Sequence, residues 1–379
     1  MFSRRLEAPT STTLLLGPRA TGKSTWLEHV LPAAHRWDLL ETKTAIDLAR
    51  DPSRFAREVE VLPKGAWVVV DEVQKVPALL DEVHRLDGKA GRRFVLSGSS
   101  ARKLKRGGAN LLAGRALRKD LFPLVSAEIG RALTLDEVPF GCLPRVIDAA
   151  APQPFLESYV ETYLKEEVQA EALTRNIGGF ARFLEIAARQ NGHVTNTANI
   201  SRDAQVARQT VQGYFEVLVD TLLGFWLPPW KLKRATKLVA HPKFYFFDAG
   251  VARALSGRLA YPPTDEELGA LFETWMLHEI RAYLSYSGLS YAPTFFRTHD
   301  DVEVDLLLET RKGFVAIEFK CSSDWRSKWN VGLRRIRDEL KGVRCIGVFA
   351  GKRAQGADGI EVLPYERFLR ELWDGTIIT

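Results

Sequence analysis

The segment "GPRATGKS", Gly17 to Ser24, has the G-x-x-x-x-G-K-S spacing that a phosphate cradle requires. Gly17 and Gly22 let the backbone bend until successive N–H groups point inward at phosphate oxygens. Between them Pro18, Arg19, Ala20 and Thr21 form the wall of the loop, and Thr25 lies just beyond it. Lys23 supplies a cation for the β- and γ-phosphates of ATP, and the Ser24 hydroxyl can ligate magnesium. A second reactive pair, Asp71 and Glu72, closes the run "AWVVVDEV". There Asp71 would hold the magnesium through water, and Glu72 would orient the attacking water.

A third set lies in "VEVDLLLETRKGFVAIEFK", Val302 to Lys320. Two largely apolar arms around "TRKG" predict a β-hairpin. With its turn at Thr310 to Gly313, Asp305 falls opposite Glu318, and Glu303 opposite Lys320. Facing carboxylates with β-carbons roughly 5 Å apart repel each other, so the pair asks for a cation. Upstream, Glu273 shares a helical face with Leu277, Ile280 and Leu284. A carboxylate on an apolar stripe points into a site or pairs with a buried base, and Glu279 lies near the same half. The plainer alternative makes Glu318–Lys320 or Glu303–Lys320 a salt bridge on a wet sheet. Against it, Val315, Ile317 and Phe319 crowd the opposite face.

These side chains need rigid carriers. A short apolar strand, Thr12 to Leu16, precedes the phosphate loop, and an amphipathic helix with Trp26, Leu27, Val30 and Leu31 follows it. Asp71 and Glu72 sit at the end of a buried parallel strand, and "RRFVLSGSS" supplies another. Beyond Pro139 the pattern turns helical. The segments "FARFLEIAARQNG", "NTANISRDAQ" and "ARQTVQGYFEVLVDTLLGFW" read as three helices. "LPPWKLKRATKLVAHPKFYFFD" then reads as two strands with a basic turn, which completes a winged helix-turn-helix. Arg208, Gln209, Thr210 and Gln212 would face a DNA groove, and Lys231, Lys233 and Arg234 would meet phosphates. Protein contact by the same elements stays open.

The order of P-loop, "VVVDEVQ", "LSGSS", "LAGR", "FPLVSAEI", "FYFFDAGVARAL", "LFETWMLHEI", "VEVDLLL" and "AIEFK" resembles a prokaryotic family of AAA-type (AAA+) P-loop ATPases. Members of that family carry a C-terminal region of unknown function. The pattern Glu…Asp…Glu-x-Lys in that region resembles the PD-(D/E)XK nuclease superfamily. Together the resemblances imply an α/β multidomain chain. An AAA+ core would occupy residues 1–138 and a helical lid 139–177, with a winged helix at 178–260 and a restriction-endonuclease-like α/β domain at 261–379. They imply that Ser97, with Ser99 as second choice, senses the γ-phosphate. Arg115 would be an arginine finger reaching a neighbouring subunit, with Arg102, Arg106 and Arg118 as competitors and Arg145 as a second sensor. Asp305 and Glu318 would bind magnesium or manganese with Glu273 beside them, and Lys320 would steady the nucleophile or transition state. Cys142, in "GCLP", stands where a glycine is expected.

The whole chain bounds these expectations. Of its 379 residues 46% are hydrophobic and 26% charged, the composition of a soluble globular protein. No apolar run approaches the ~18 residues of a membrane span, and a cytoplasmic location is expected. Three scattered cysteines, Cys142, Cys321 and Cys345, match neither a disulfide framework nor a zinc spacing. A formal charge of +6 leans mildly towards a polyanionic partner. The expected function is ATP-driven processing of branched or duplex DNA, junction movement by analogy with Holliday-junction motors, by a homo-oligomer for which a hexamer is one option, with a metal-dependent nuclease domain. The alternative is a nucleotide-dependent signalling switch or scaffold whose nuclease-like fold is silent.

Overall fold

The computed structural model describes residues 2–100, 114–170, 176–230 and 241–379. They divide into two compact units.

The first unit comprises Ser3–Pro123 with Val217–Leu223. Its five strands are β1 (Thr13–Leu16), β2 (His35–Asp38), β3 (Trp67–Asp71), β4 (Arg93–Gly98) and β5 (Leu117–Asp120). They pair in parallel in the order β2-β3-β4-β1-β5. The central strands are apolar runs buried on both faces, and the edge strands "HRWD" and "LRKD" are polar and largely exposed. Helices Thr42–Arg50, Pro52–Glu60 and Leu79–Leu86 cover the sheet, packing Leu48, Phe55, Val59, Leu80 and Val83 against Val68, Val70, Phe94 and Leu96. In a parallel sheet all C-terminal strand ends lie on one edge. The end of β4 therefore stands between the phosphate loop after β1 and the acids at the end of β3.

The second unit comprises Leu124–Glu216 with Gly224–Thr379. Helices Ile177–Arg189 and Thr197–Ala204 start on Asn176 and Asn196, whose side chains accept from the first free amides, and helix Arg208–Asp220 follows. Strands β6 (Gly224–Leu227) and β7 (Lys243–Phe246) then pair antiparallel. The C-terminal part is a six-stranded mixed sheet of β8 (Thr294–Arg297), β9 (Glu303–Thr310), β10 (Gly313–Lys320), β11 (Val343–Phe349), β12 (Gln355–Ala357) and β13 (Ile360–Pro364). Its order is β12-β13-β11-β10-β9-β8. Strand alternation sends Val315, Ile317 and Phe319 to one face, where helix Asp265–Tyr286 covers them with Leu277, Ile280 and Leu284. Ala316 goes to the other face, under Leu333 and Ile336 of helix Asn330–Glu339.

The hairpin has the expected register, Gly313↔Thr310 through Ile317↔Leu306. Its backbone ladder stops one step before Asp305. From there the Asp305 carboxylate takes over, accepting the Phe319 amide at 2.8 Å.

Candidate functional site

The phosphate loop is fitted to its place by sterics. A Cβ on Gly17 would stand 2.4 Å from the Leu121 carbonyl oxygen, so that position tolerates only glycine. Gly22 opens helix Lys23–Val30 with φ 89°, a left-handed conformation that costs glycine little. Pro18 and Thr21 are buried, Arg19 and Ala20 half-buried, and Ser24 and Thr25 exposed at the helix start. Thr21 Oγ1 donates to the Pro18 carbonyl, and Lys23 Nζ donates to the carbonyls of Gly17 and Pro18 at 2.8 and 3.1 Å. Arg4, which sequence reasoning missed, pins the loop by donating to the carbonyls of Thr21 and Phe122. It lies well ahead of the motif, and only the tertiary fold gives it a partner.

The acids at the end of β3 lie beside this loop. Ser24 Oγ donates to Asp71 Oδ2, and Ser97 Oγ donates to Asp71 Oδ1. Glu72 has φ 57°, a left-handed turn that swings its side chain away from that of Asp71. Its Oε2 accepts from Ser99 Oγ at 3.1 Å and from Gln74 Nε2. Ser97 and Ser99 therefore serve different acids, and Gln74, missed from sequence, orients Glu72. The "DEVQ" spelling was its only signal. These residues fit ATP with magnesium: a glycine-bounded loop opening a helix, a lysine within it, and a hydroxyl touching a carboxylate where the ion would bind. Bound magnesium would supply charge neutralisation at the phosphates.

A second constellation lies around a cavity of about 330 Å³ lined by Lys243, Glu273, Arg297, Glu303, Asp305 and Lys320. Asp305, Glu318 and Lys320 meet as the hairpin register requires, and helix Asp265–Tyr286 brings Glu273. Lys320 Nζ is 2.6 Å from Glu318 Oε1 and 3.6 Å from Asp305 Oδ2. The Glu303–Lys320 pairing does not form. Glu303 instead bonds Lys243 Nζ at 2.6 Å and Arg297 at 3.1 Å, because Lys320 turns to the carboxylate on its own strand. Lys243, also missed, is buried and bonds Glu273 at 3.2 Å, and Tyr245 donates to the same Glu273 oxygen. Burial and the Asp305 charge raise the Glu318 pKa, partly offset by Lys320. Burial also raises Glu273 against the pull of Lys243. Burial disfavours the Lys243 ammonium, yet the charges of Glu273, Glu303 and Asp305 hold its pKa well above the ordinary lysine value.

The fit to a divalent ion is poor here. Among the described residues no three His, Cys, Asp or Glu side chains are grouped as a metal site. The carboxylates are interleaved with ammonium groups, and among the described residues Glu318 Oε2 is the one enclosed carboxylate oxygen of the cluster without a partner.

Arg115 is exposed and donates to the His84 carbonyl, Arg118 pairs with Asp120, and Arg145 stacks on Phe155. Arg208, Gln209 and Gln212 are exposed and Thr210 half-buried at the start of their helix. Arg208 and Gln212 line a cavity of about 380 Å³ with Thr197, Trp226 and His241. Lys231, Lys233, Arg234, Arg102 and Arg106 lie outside the described residues. Glu279 is fully buried and is clamped by Ser126 and the Trp373 indole. All three cysteines are free.

Residues 10–130 match the family profile described as an AAA domain. Residues 135–261 and 268–368 match two profiles described as domains of unknown function, DUF8612 and DUF4143. The AAA profile thus falls on the P-loop sheet of the first unit. The chain is 26% identical over 367 residues to the uncharacterized proteins Mb2031c of Mycobacterium bovis and Rv2008c of Mycobacterium tuberculosis, covering 94% of this chain and 80% of each relative. Among solved structures, the Walker-type ATPase PABY2304 of Pyrococcus abyssi is 14% identical with a TM-score of 0.43, covering 64% of this chain and 90% of that one. The Aeropyrum pernix ORC1 protein, solved in complex with DNA, is 13% identical with a TM-score of 0.31, covering 66% and 87%. Among the described residues no helix is long and apolar enough to cross a membrane.

Proposed function

We propose that this chain hydrolyses ATP to act on duplex or branched DNA, and that its C-terminal sheet is a nuclease-like fold that holds nucleic acid. The observation that carries the reading is the meeting of Ser24, Asp71 and Ser97 beside the lysine-bearing loop, with Glu72 held separately by Ser99 and Gln74. In this reading Asp71 would serve the metal and Glu72 the water, which is the division of labour phosphate hydrolysis needs. Glu72 is the catalytic residue of this reading. Ser97 senses the γ-phosphate, and Arg115 completes the site of a neighbouring subunit in a homo-oligomer.

DNA enters the reading through the exposed Arg208, Gln209 and Gln212 at a helix start, and through the basic residues Lys231, Lys233 and Arg234. The division into core, lid, winged helix and nuclease-like domain belongs to the same proposal. A second reading, a nucleotide switch or scaffold with a silent nuclease-like fold, is favoured by the ion pairs that tie up the C-terminal carboxylates. ATP turnover measured with and without duplex and four-way DNA separates the two. Stimulation by DNA, abolished at high salt, is expected. Turnover indifferent to every DNA form overturns the DNA-acting reading and leaves the switch.

A further inference from the structure

We infer that Lys243 is a built-in counter-ion of the C-terminal acidic cluster, taking the charge-neutralising place of a divalent metal. The cluster gathers Glu273, Glu303 and Asp305 around one cavity, with Glu318 joined to it through Lys320. Such a group of carboxylates cannot stay ionised in a partly dry site without cations. Metal enzymes supply that charge as an ion held by several oxygens; a six-coordinate magnesium needs carboxylate oxygens that are free to turn towards it. Here at least one oxygen of each carboxylate is already engaged. Lys243 Nζ, with a side chain only 3% exposed, bridges Glu303 Oε1 at 2.6 Å and Glu273 Oε1 at 3.2 Å. Tyr245 holds the same Glu273 oxygen from two residues further along β7. Lys320 takes Glu318 Oε1, and the Phe319 amide takes Asp305 Oδ2.

The position of Lys243 is fixed by more than charge. Its strand pairs with β6, its Nζ lies 5.3 Å from the centre of the Phe295 ring, and Tyr245 stacks on Phe225. An ammonium set on a packed strand cannot leave as a hydrated ion can. Glu318 Oε2, Asp305 Oδ1 and Glu273 Oε2 remain, but each belongs to a carboxylate whose other oxygen is already held by an ammonium, an amide or a hydroxyl. The consequence is chemical. A site neutralised by an ammonium has no metal-bound water to make into hydroxide, so it binds without hydrolysing phosphodiesters by that route.

Titration of the nucleotide-free protein with Mn²⁺ tests this, read by calorimetry and by melting temperature, with Asp305→Asn subtracted to isolate the cluster. The wild type is expected to show no Mn²⁺ binding that Asp305→Asn removes. Lys243→Met, which keeps the apolar stem and deletes the charge, is expected to gain such binding and to melt several degrees higher in Mn²⁺ than without it. A Lys243→Met chain that folds only when Mn²⁺ is present supports the inference equally. Wild-type Mn²⁺ binding that Asp305→Asn abolishes overturns it. So does a Lys243→Met chain, folded or not, on which millimolar Mn²⁺ has no effect.

Discussion

Asp71 carries two hydroxyls, one on each carboxylate oxygen, and this decides what neighbouring substitutions should do. Ser24 would stay with the magnesium, whereas Ser97 fixes the angle at which Asp71 is presented. Ser97→Ala should therefore lower the turnover number more than it weakens nucleotide binding. Glu72→Gln removes only the group that takes a proton from water. Nucleotide affinity should survive, and hydrolysis should fall by about 10²- to 10⁴-fold, the usual worth of a positioned general base. Lys23→Ala should instead abolish binding, since it deletes the cation that the motif aims at the β- and γ-phosphates. Filter binding of labelled ATP beside steady-state turnover distinguishes the three. Hydrolysis unchanged in Glu72→Gln would sink the assignment of that residue. Gln74→Leu belongs with Glu72: it removes one of the two donors that hold Glu72 Oε2, leaving Ser99, so the turnover number should drop while KM holds.

Helix Asp265–Tyr286 carries two inward carboxylates six residues apart, and packing gives them different work. Glu273 reaches the charged cavity, whereas Glu279 is sealed between Ser126 and Trp373. Burial raises the Glu279 pKa from 4.5 to about 7 despite those donors. The sign follows from linkage. Between these values the folded state holds a proton that the unfolded chain has released, so stability falls as pH rises from about 4.5 to about 7 and is flat above. The decline attributable to this group is on the order of 3 kcal/mol. Glu279→Gln, although less stable overall because its amide opposes the Trp373 donor, should show a shallower decline of unfolding free energy across that window. Identical pH slopes in the two proteins would refute the assignment. The same helix marks what is legible in the sequence. Its apolar stripe and the hairpin register are local patterns of period 3.6 and 2, so Glu273, Asp305, Glu318 and Lys320 can be brought together on paper. Lys243 cannot, because its partners lie 30 and 60 residues downstream and nothing local distinguishes it from a surface lysine. The partner of Glu303 differs from the expected one because the ladder ends early, freeing each side chain to choose a nearer charge. The phosphate loop is legible nearly whole, since its spacing is itself the structure. Its fastening by Arg4 is not, being a contact across more than a hundred residues on one side.

At the scale of the whole chain, a charge of +6 and a division into two compact units raise the question of whether nucleotide and DNA are felt together. Under the proposed function the two ligands share a coupling free energy, and that coupling is reciprocal: whatever factor DNA applies to ATP affinity, ATP must apply to DNA affinity. Glu72→Gln is the protein in which to measure it, because it should bind ATP without consuming it. Its DNA dissociation constant, taken by fluorescence anisotropy at one fixed salt concentration with and without ATP, should change by about 5- to 150-fold. The ATP dissociation constant, with and without saturating DNA, should change by the same factor. Phosphate neutralisation provides the control. Reversing the charges of Lys231, Lys233 and Arg234 should weaken binding to all sequences and reduce the slope of log affinity against log salt by about 0.9 for each phosphate that no longer meets a cation. The coupling factor should then persist at lower affinity, since these residues hold DNA in both nucleotide states. Two factors that agree and differ from one establish a DNA-acting ATPase. Two factors equal to one would mean that each unit ignores the other's ligand, and the chain would be better understood as a nucleotide-binding scaffold that happens to be basic.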